Sequence, residues 1–321
     1  MSRTFPIIEV RDLNVTFRLG WKMRMHAVTG VSFHIADGET LGLVGESGCG
    51  KTTVARTLVG LQTASAGSIY FDGIELLGIR GRKLKAIRPD IQMIFQDAAA
   101  SLNPGRRVDR TVAEPLRVLG RGDRRQRMAV ARALLAEVGI DPDIAAARRP
   151  YEFSIGQCQR IAIARSLITE PRLLVCDEPV SSLDVSVQAQ ILNLLREIKS
   201  RRDLTILFIS HDLSVIRNIC DRVAVMYRGR ICETAPVEEL FRRPRHPYTA
   251  ALIAAVPSMN PRPPTSRRIG SKNTFSNKSD LPSGCRYHPR CRQSQPRCKD
   301  IPPPLEPGDS GSEIACHFPL P

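Results

Sequence analysis

Short apolar runs alternate with helically spaced apolar positions through residues 1 to about 258. Leu41-Gly42-Leu43-Val44 leads into a glycine-rich loop, after which Val54, Ala55, Leu58 and Val59 recur at a helical interval. Ile91-Gln92-Met93-Ile94-Phe95 predicts a short strand, and residues 173–176, 205–209 and 223–226 are continuously apolar, as strands covered on both faces are. In residues 187–199, Val187, Ile191, Leu194, Leu195 and Ile198 fall on one face of a helix. Strands alternating with helices predict an α/β fold with a largely parallel sheet. Residues 97 to about 165 are poor in strands and rich in helical spacing, so an inserted helical subdomain is expected there.

The pattern changes at Met259. Residues 259–321 hold half of the 24 prolines, and Pro261-Arg262-Pro263-Pro264 and Ser271-Lys272-Asn273 predict a linker. The chain therefore divides into a regular domain, 1–258, and a small irregular extension, 259–321. No apolar run approaches the roughly 18 residues of a membrane span. Residues 1–11 lack the apolar core of a signal peptide. The chain is expected to stay in the cytoplasm and to meet a membrane only through a partner. Its net charge of +15 is gathered in clusters such as Arg80-Arg82-Lys83-Lys85-Arg88 and Arg242-Arg243-Arg245. That balance suits a polyanion, either nucleic acid or an anionic membrane surface. Only 5% of residues are aromatic and none is interleaved with these clusters, which leaves little for bases to stack on, so no nucleic-acid partner is expected.

Gly45-Glu46-Ser47-Gly48-Cys49-Gly50-Lys51-Thr52 fits G-x-x-x-x-G-K-[ST], between an expected strand and an expected helix, and these residues with Thr53 are the candidate nucleotide-binding residues. Glycines let backbone N–H groups wrap phosphates, and a helix N-terminus adds positive potential. Lys51 is placed to reach the β- and γ-phosphates of ATP, and Thr52 to hold Mg²⁺. The apolar run Leu173-Leu174-Val175-Cys176 ends in Asp177-Glu178. Asp177 is the candidate Mg²⁺ carboxylate and Glu178 the candidate general base for the attacking water. Ser210-His211 is no serine hydrolase dyad, because adjacent residues cannot supply triad geometry and no nucleophile elbow is present.

Phe153-Ser154-Ile155-Gly156-Gln157-Cys158-Gln159-Arg160 resembles the signature peptide of ABC-type ATPases, usually Leu-Ser-Gly-Gly-Gln. The resemblance implies a P-loop NTPase fold with an inserted helical subdomain. It also implies that Ser154, Gly156 and Gln157 complete an ATP site on a second ATPase subunit. It makes Gln96 the residue that senses Mg²⁺ and attacking water, His211 the switch histidine on the γ-phosphate, and Asp184 part of the loop that crosses between subunits. Two departures stand out. Ile155 replaces the first glycine, which adds a β-branched side chain and removes positive-φ freedom; an asymmetric dimer with one weaker site is expected. Leu19 falls where an adenine-stacking aromatic is usual, with Phe17 or Trp21 as substitutes.

Gln96-Asp97, Ser101-Leu102-Asn103-Pro104, Glu114-Pro115-Leu116, Asp184-Val185-Ser186-Val187-Gln188-Ala189-Gln190 and His246-Pro247-Tyr248-Thr249 resemble the oligopeptide/dipeptide permease ATPases, with Ala255-Val256-Pro257 and the signature closer to the F-type subunit. The resemblance implies ATP hydrolysis coupled to import of di- or oligopeptides, with nickel chelates and glutathione as family variants. It implies a D-type ATPase partner, two transmembrane permease subunits, an extracytoplasmic solute-binding protein and a place on the cytoplasmic face of the membrane. A soluble ABC ATPase acting on nucleic acid or ribosomes is the alternative, but this chain lacks the fused second unit or coiled coil usual there. A degenerate, non-hydrolysing partner is a third reading, set against the presence of Lys51, Asp177, Glu178, Gln96 and His211.

A second chemical signal is Cys285-x5-Cys291-x6-Cys298-x17-Cys316. Four thiolates can hold a [4Fe–4S] cluster or tetrahedral Zn²⁺, or remain free thiols. The paired C-x2-C of most zinc ribbons is missing, which favours the cluster. Gly284-Cys285 with His288-Pro289-Arg290-Cys291 also resembles the permease ATPase extension, where a [4Fe–4S] cluster occurs. His288 and His317 read as loop residues rather than ligands, and disulfides are disfavoured in a reducing cytosol.

Overall fold

The computed structural model describes residues 6–19, 23–256 and 281–321; Trp21, the 258/259 boundary and the expected linker at 261–264 and 271–273 lie outside the described residues. The chain begins with two long strands, β1 (Ile8–Leu19) and β2 (Met23–Ile35), followed by β3 (Thr40–Val44), helix α1 (Lys51–Leu58), β4 (Ala66–Phe71), β5 (Ile74–Glu75), α2 (Gly81–Ile87) and β6 (Ile91–Ile94). Helices alone follow: α3 (Ala98–Ser101), α4 (Val108–Leu119), α5 (Arg124–Glu137), α6 (Pro142–Ala147) and α7 (Ile155–Leu167). Strand–helix alternation then resumes with β7 (Leu173–Asp177), α8 (Val185–Arg202), β8 (Thr205–Ser210), α9 (Leu213–Ile219), β9 (Arg222–Tyr227), β10 (Arg230–Pro236), α10 (Val237–Arg242) and α11 (Pro247–Ala254). The extension contributes α12 (Pro296–Asp300), β11 (Glu306–Pro307) and β12 (Glu313–Ile314).

The main sheet has eight strands in the order β11-β12-β10-β9-β3-β8-β7-β6. It is parallel from β9 through β6 and antiparallel from β9 outward. Its central strands are buried on both faces, which accounts for their unbroken apolar runs. The pleat sends alternate residues into two cores: Leu173, Val175, Leu207 and Ile209 into one, and Leu174, Cys176, Ile206 and Phe208 into the other. The first core also receives Ile8, Val10, Leu13 and Val15 from a separate antiparallel sheet of order β2-β1-β4-β5. The second receives Val112, Leu116, Leu135 and Ile161 from the helical stretch.

Two elements differ from the pattern-based expectation. The N-terminal antiparallel sheet was not legible, because β1 pairs irregularly with β2, with register shifts between Val10 and Leu13, Leu13 and Val15, and Val15 and Thr16. Each shift interrupts the two-residue alternation. The extension, expected to be irregular, lengthens the main sheet: Ile314 pairs with Glu233 and Glu313 with Thr234, covering the edge that β10 would otherwise expose. Two-residue strands are too short for any periodicity to reveal.

In-register pairing brings the chemistry to one edge. Val44 lies opposite Ser210 and Val225, Ile94 opposite Cys176, and Asp177 opposite Ile209. The loop after β3, Gln96 after β6, Asp177-Glu178 at the end of β7 and His211 after β8 therefore emerge side by side at the carboxyl ends of parallel strands, where open α/β sheets present their ligand-binding crevice.

Candidate active site

The loop of residues 45–53 turns from β3 into α1. Gly50 caps α1 in the left-handed region (φ 112°), which favours glycine. Lys51 is buried, and its Nζ donates to the carbonyls of Gly45 (2.8 Å) and Glu46 (3.2 Å), so the loop is closed around its own cation. Burial pushes the Cys49 thiol up, opposed by the nearby Lys51 charge, so the loop cysteine carries its proton.

Thr52 Oγ1 donates to Asp177 Oδ1 at 2.9 Å, joining the loop to the end of β7. Burial pushes the Asp177 carboxyl up; the Thr52 hydrogen bond and the charges of Arg56 and Lys51 pull it down, while Glu178 pushes it further up. Arg56, one turn into α1, is thus part of the electrostatics of the site although no motif points to it. A hydroxyl and a carboxylate together form a hard oxygen donor set of the kind Mg²⁺ takes.

Glu178 is the centre of the arrangement. Gln96 Nε2 donates to its Oε2 at 3.2 Å, and His211 Nδ1 stands 3.2 Å from the same oxygen. Its backbone is in the left-handed region (φ 49°), where a non-glycine residue costs on the order of 1–2 kcal/mol. The amide hydrogen bond to the Ile209 carbonyl (3.0 Å) holds it there. Backbone strain at the acid expected to act as base is of the kind found where function over-determines geometry. No sequence signal marks it.

The signature lies at the start of α7. Ser154 is the N-cap: its Oγ accepts the Gln157 amide (3.2 Å), and Gln157 Oε1 accepts the Ser154 amide (2.9 Å). This capping box is written in the sequence as S-x-x-Q and is the local reason the helix starts where it does. Ser154, Ile155 and Gln157 are exposed. Neither Ile155 nor Gly156 has positive φ. The positive-φ freedom that Ile155 removes is therefore not used in this structure: Ile155 occupies an ordinary first helical position, and what it adds is an exposed apolar side chain. Gly156 has an intrachain role, since a Cβ there would stand 2.6 Å from Val187 Cγ1 of α8. Asp184 caps α8, accepting from the Val187 amide (2.9 Å) and the Ser186 hydroxyl (2.6 Å), which hold its carboxyl below the usual range, the hydroxyl foremost.

Of the candidate adenine contacts, Phe17 packs against the core, and Leu19 pairs with Met23 through its backbone. Cys285, Cys291, Cys298 and Cys316 line one pocket together with His246, Tyr287 and Phe318. Burial pushes the thiols of Cys285, Cys291 and Cys316 up, the last to about 11. Among the described residues, no three His, Cys, Asp or Glu side chains stand in metal-holding geometry. His288 Nδ1 lies 2.8 Å from the Cys285 carbonyl and His317 Nε2 lies 2.8 Å from the Ile301 carbonyl.

Residues 28–181 match the family described as "ABC transporter", and residues 232–298 match "Oligopeptide/dipeptide transporter, C-terminal region". The oligopeptide transport ATP-binding protein OppF of Salmonella typhimurium is 43% identical over 97% of this chain and 95% of its own length. The corresponding protein AppF of Bacillus subtilis is 44% identical over 97% of both chains. Among solved structures, the dimeric post-hydrolysis state of the ATP-binding cassette MJ0796 with ADP and Pi superposes with a TM-score of 0.66 at 27% identity, covering 72% of this chain and 98% of that one. The cbiO1 subunit from Clostridium perfringens, part of the cbiONQ transporter complex, gives 0.65 at 29% identity over 74% and 91%.

Proposed function

Because the chain belongs to the ABC transporter ATPases of oligopeptide transport, we propose that Lys51, Thr52, Asp177, Glu178, Gln96 and His211 form the site where it hydrolyses ATP to energise peptide import. The observation that carries this reading is the convergence of Gln96 and His211 on one oxygen of Glu178, beside the Thr52–Asp177 pair. In this reading the loop amides of residues 45–53 and Lys51 bind the phosphates. Gln96 and His211 fix the Glu178 carboxylate and leave Oε1 to take the proton of the attacking water. Thr52 and Asp177, with Gln96, would hold Mg²⁺, which when bound neutralises charge on the β- and γ-phosphate oxygens.

Ser154, Gly156 and Gln157 act on ATP held by a D-type partner ATPase, with Asp184 at the crossing, so that intact ATP closes the dimer and hydrolysis loosens it. Residues 1–258 serve as the nucleotide-binding domain, with 97–165 as its helical subdomain. Among the described residues no helix is long and apolar enough to cross a membrane. In this reading two permease subunits supply the pore, and the chain sits on their cytoplasmic side. In this reading a helix from a permease subunit docks in the cavity of about 730 Å³ between α2 and α4, lined by Leu84, Arg88, Asn103, Pro115, Val118 and Leu119. A solute-binding protein delivers the peptide. Co-purification with the permease subunits, and ATPase activity raised by peptide-loaded binding protein in vesicles, tests this reading; an activity indifferent to both would remove the importer assignment.

The Ile155 side chain is exposed at the start of α7, and in this reading it faces the ATP held by the partner. Ile155→Gly is expected to raise the ATPase rate of the assembled complex; an unchanged or lower rate removes the asymmetry.

The four-cysteine pocket carries a separate reading, a [4Fe–4S] cluster on Cys285, Cys291, Cys298 and Cys316, with Zn²⁺ as the alternative. The donor set suits it, with four thiols on one pocket and no carboxylate lining it. The spacing of those thiols does not, so assembly has to draw the loops together and displace the thiol protons. Iron and acid-labile sulfide in the purified chain, lost in Cys298→Ser, is the expected result. A chain without iron, sulfide or zinc ends the metal reading.

A further inference from the structure

The phosphate loop is held from outside by the C-terminal part of the chain. Arg290, which precedes Cys291, donates through Nη1 to both carboxylate oxygens of Glu46, at 2.8 and 3.1 Å. The amide of the same Glu46 donates to the Tyr248 hydroxyl at 3.0 Å. These contacts span 244 and 202 positions of sequence. Behind them lies an aromatic cluster: the Tyr227 ring is 4.5 Å from Tyr248 and 5.3 Å from Tyr287, and Tyr248 and Tyr287 are also 5.3 Å apart. All three rings are buried. The Arg290 guanidinium lies 5.9 Å from the Tyr227 ring and 6.0 Å from that of Tyr287.

The same cluster leads to the cysteine pocket. His246 caps α11 by accepting the Tyr248 amide on Nδ1 (3.0 Å), and the buried Glu233 carboxylate accepts the His246 amide (2.9 Å). His246 and Tyr287 line the pocket of the four cysteines. The Tyr227–Arg230 turn bridges back to the loop, with Gly229 N–H donating to the Cys49 carbonyl (2.7 Å) and Arg286 donating to the Arg228 carbonyl.

We propose that the C-terminal extension, through Arg290, and helix α11, through Tyr248, are part of the ATP site, the two side chains acting as positioning residues for the phosphate loop. Arg290 neutralises the Glu46 carboxylate, and Tyr248 fixes the Glu46 amide. The physical need is plain: Glu46 is an anion in a loop that binds a polyanion, and at short range an unpaired carboxylate repels phosphate. The pairing also holds the side chain to one side of the loop. This inference rests on the assignment of residues 45–53 to ATP.

The test is nucleotide affinity of the full-length chain. The Arg290–Glu46 pair is partly exposed, so Arg290→Ala is expected to weaken ATP binding about threefold. Tyr248 is buried, and Tyr248→Phe is expected to weaken it roughly fivefold by leaving the loop amide unpaired. In a Glu46→Gln background, Arg290→Ala should have no further effect, since no carboxylate remains to neutralise. Wild-type affinity in Arg290→Ala, or the same loss with and without Glu46→Gln, overturns the role of Arg290. Unchanged affinity in Tyr248→Phe overturns that of Tyr248. Lys51→Ala separates the two levels: if it still binds ATP, the site assignment itself fails, and if it alone loses binding, only the roles of Arg290 and Tyr248 do.

Discussion

Glu178→Gln in the assembled transporter is expected to lower the ATPase rate by about a hundredfold to ten-thousandfold, the range general-base removal spans. ATP binding should persist. The amide keeps the shape of the side chain and can still meet Gln96 Nε2 and His211, both within 3.2 Å of the present carboxylate. What it loses is the ability to accept a proton from water. The strained left-handed backbone of residue 178 is anchored through its own amide to the Ile209 carbonyl, so it survives the substitution. Because intact ATP then persists between signature and phosphate loop, the variant should also accumulate ATP-bound dimers. ATPase rate and dimer fraction by size-exclusion with ATP read the two effects together. Hydrolysis within a factor of a few of wild type would show that the proton goes elsewhere.

Gly45→Ala is expected to cost more in structure. Gly45 passes beneath β9, and a Cβ built on it would stand 2.0 Å from the Met226 carbonyl oxygen and 2.9 Å from Cys49 Sγ. The first obstacle is backbone of a central strand, so the loop must move rather than the neighbour. Overpacking of this kind costs about 1–3 kcal/mol, and an immovable partner places this case at the upper end. That corresponds to a loss of roughly 5 °C or more in melting temperature. The displaced loop also loses the carbonyls that hold Lys51 Nζ, so ATP affinity should fall by at least about tenfold, the equivalent of roughly 1.4 kcal/mol. A melting temperature and affinity equal to wild type would mean that the loop tolerates a shift which the Met226 contact argues against.

Much of this site is legible without coordinates, for a physical reason. Strands buried on both faces must be apolar throughout, and the residues that follow their carboxyl ends carry the chemistry. Val44, Cys176 and Ile209 therefore announce residues 45–53, Asp177-Glu178 and His211 in turn. Other features are invisible in a linear pattern. The bulges of β1 scramble its alternation. The left-handed conformation of Glu178 goes with the hydrogen bond from its amide to the Ile209 carbonyl, a tertiary contact that residue type does not announce. The Arg290–Glu46 contact joins positions 244 apart, which no local periodicity encodes. Gly156 is explained by Val187 of the next helix as well as by any phosphate. Ile155 is the instructive correction: a glycine position in a motif suggests special backbone, yet Ser154 and Gln157 start an ordinary helix there and the backbone makes no such demand.

ATP-driven uptake of a labelled oligopeptide into vesicles bearing this chain with its transporter partners is the most direct measurement of the account. Uptake should require ATP, fail with a non-hydrolysable analogue, and disappear in Glu178→Gln although ATP is still bound. Uptake that continues undiminished in Glu178→Gln, or that proceeds with the analogue, would contradict the claim that hydrolysis at this site energises peptide import.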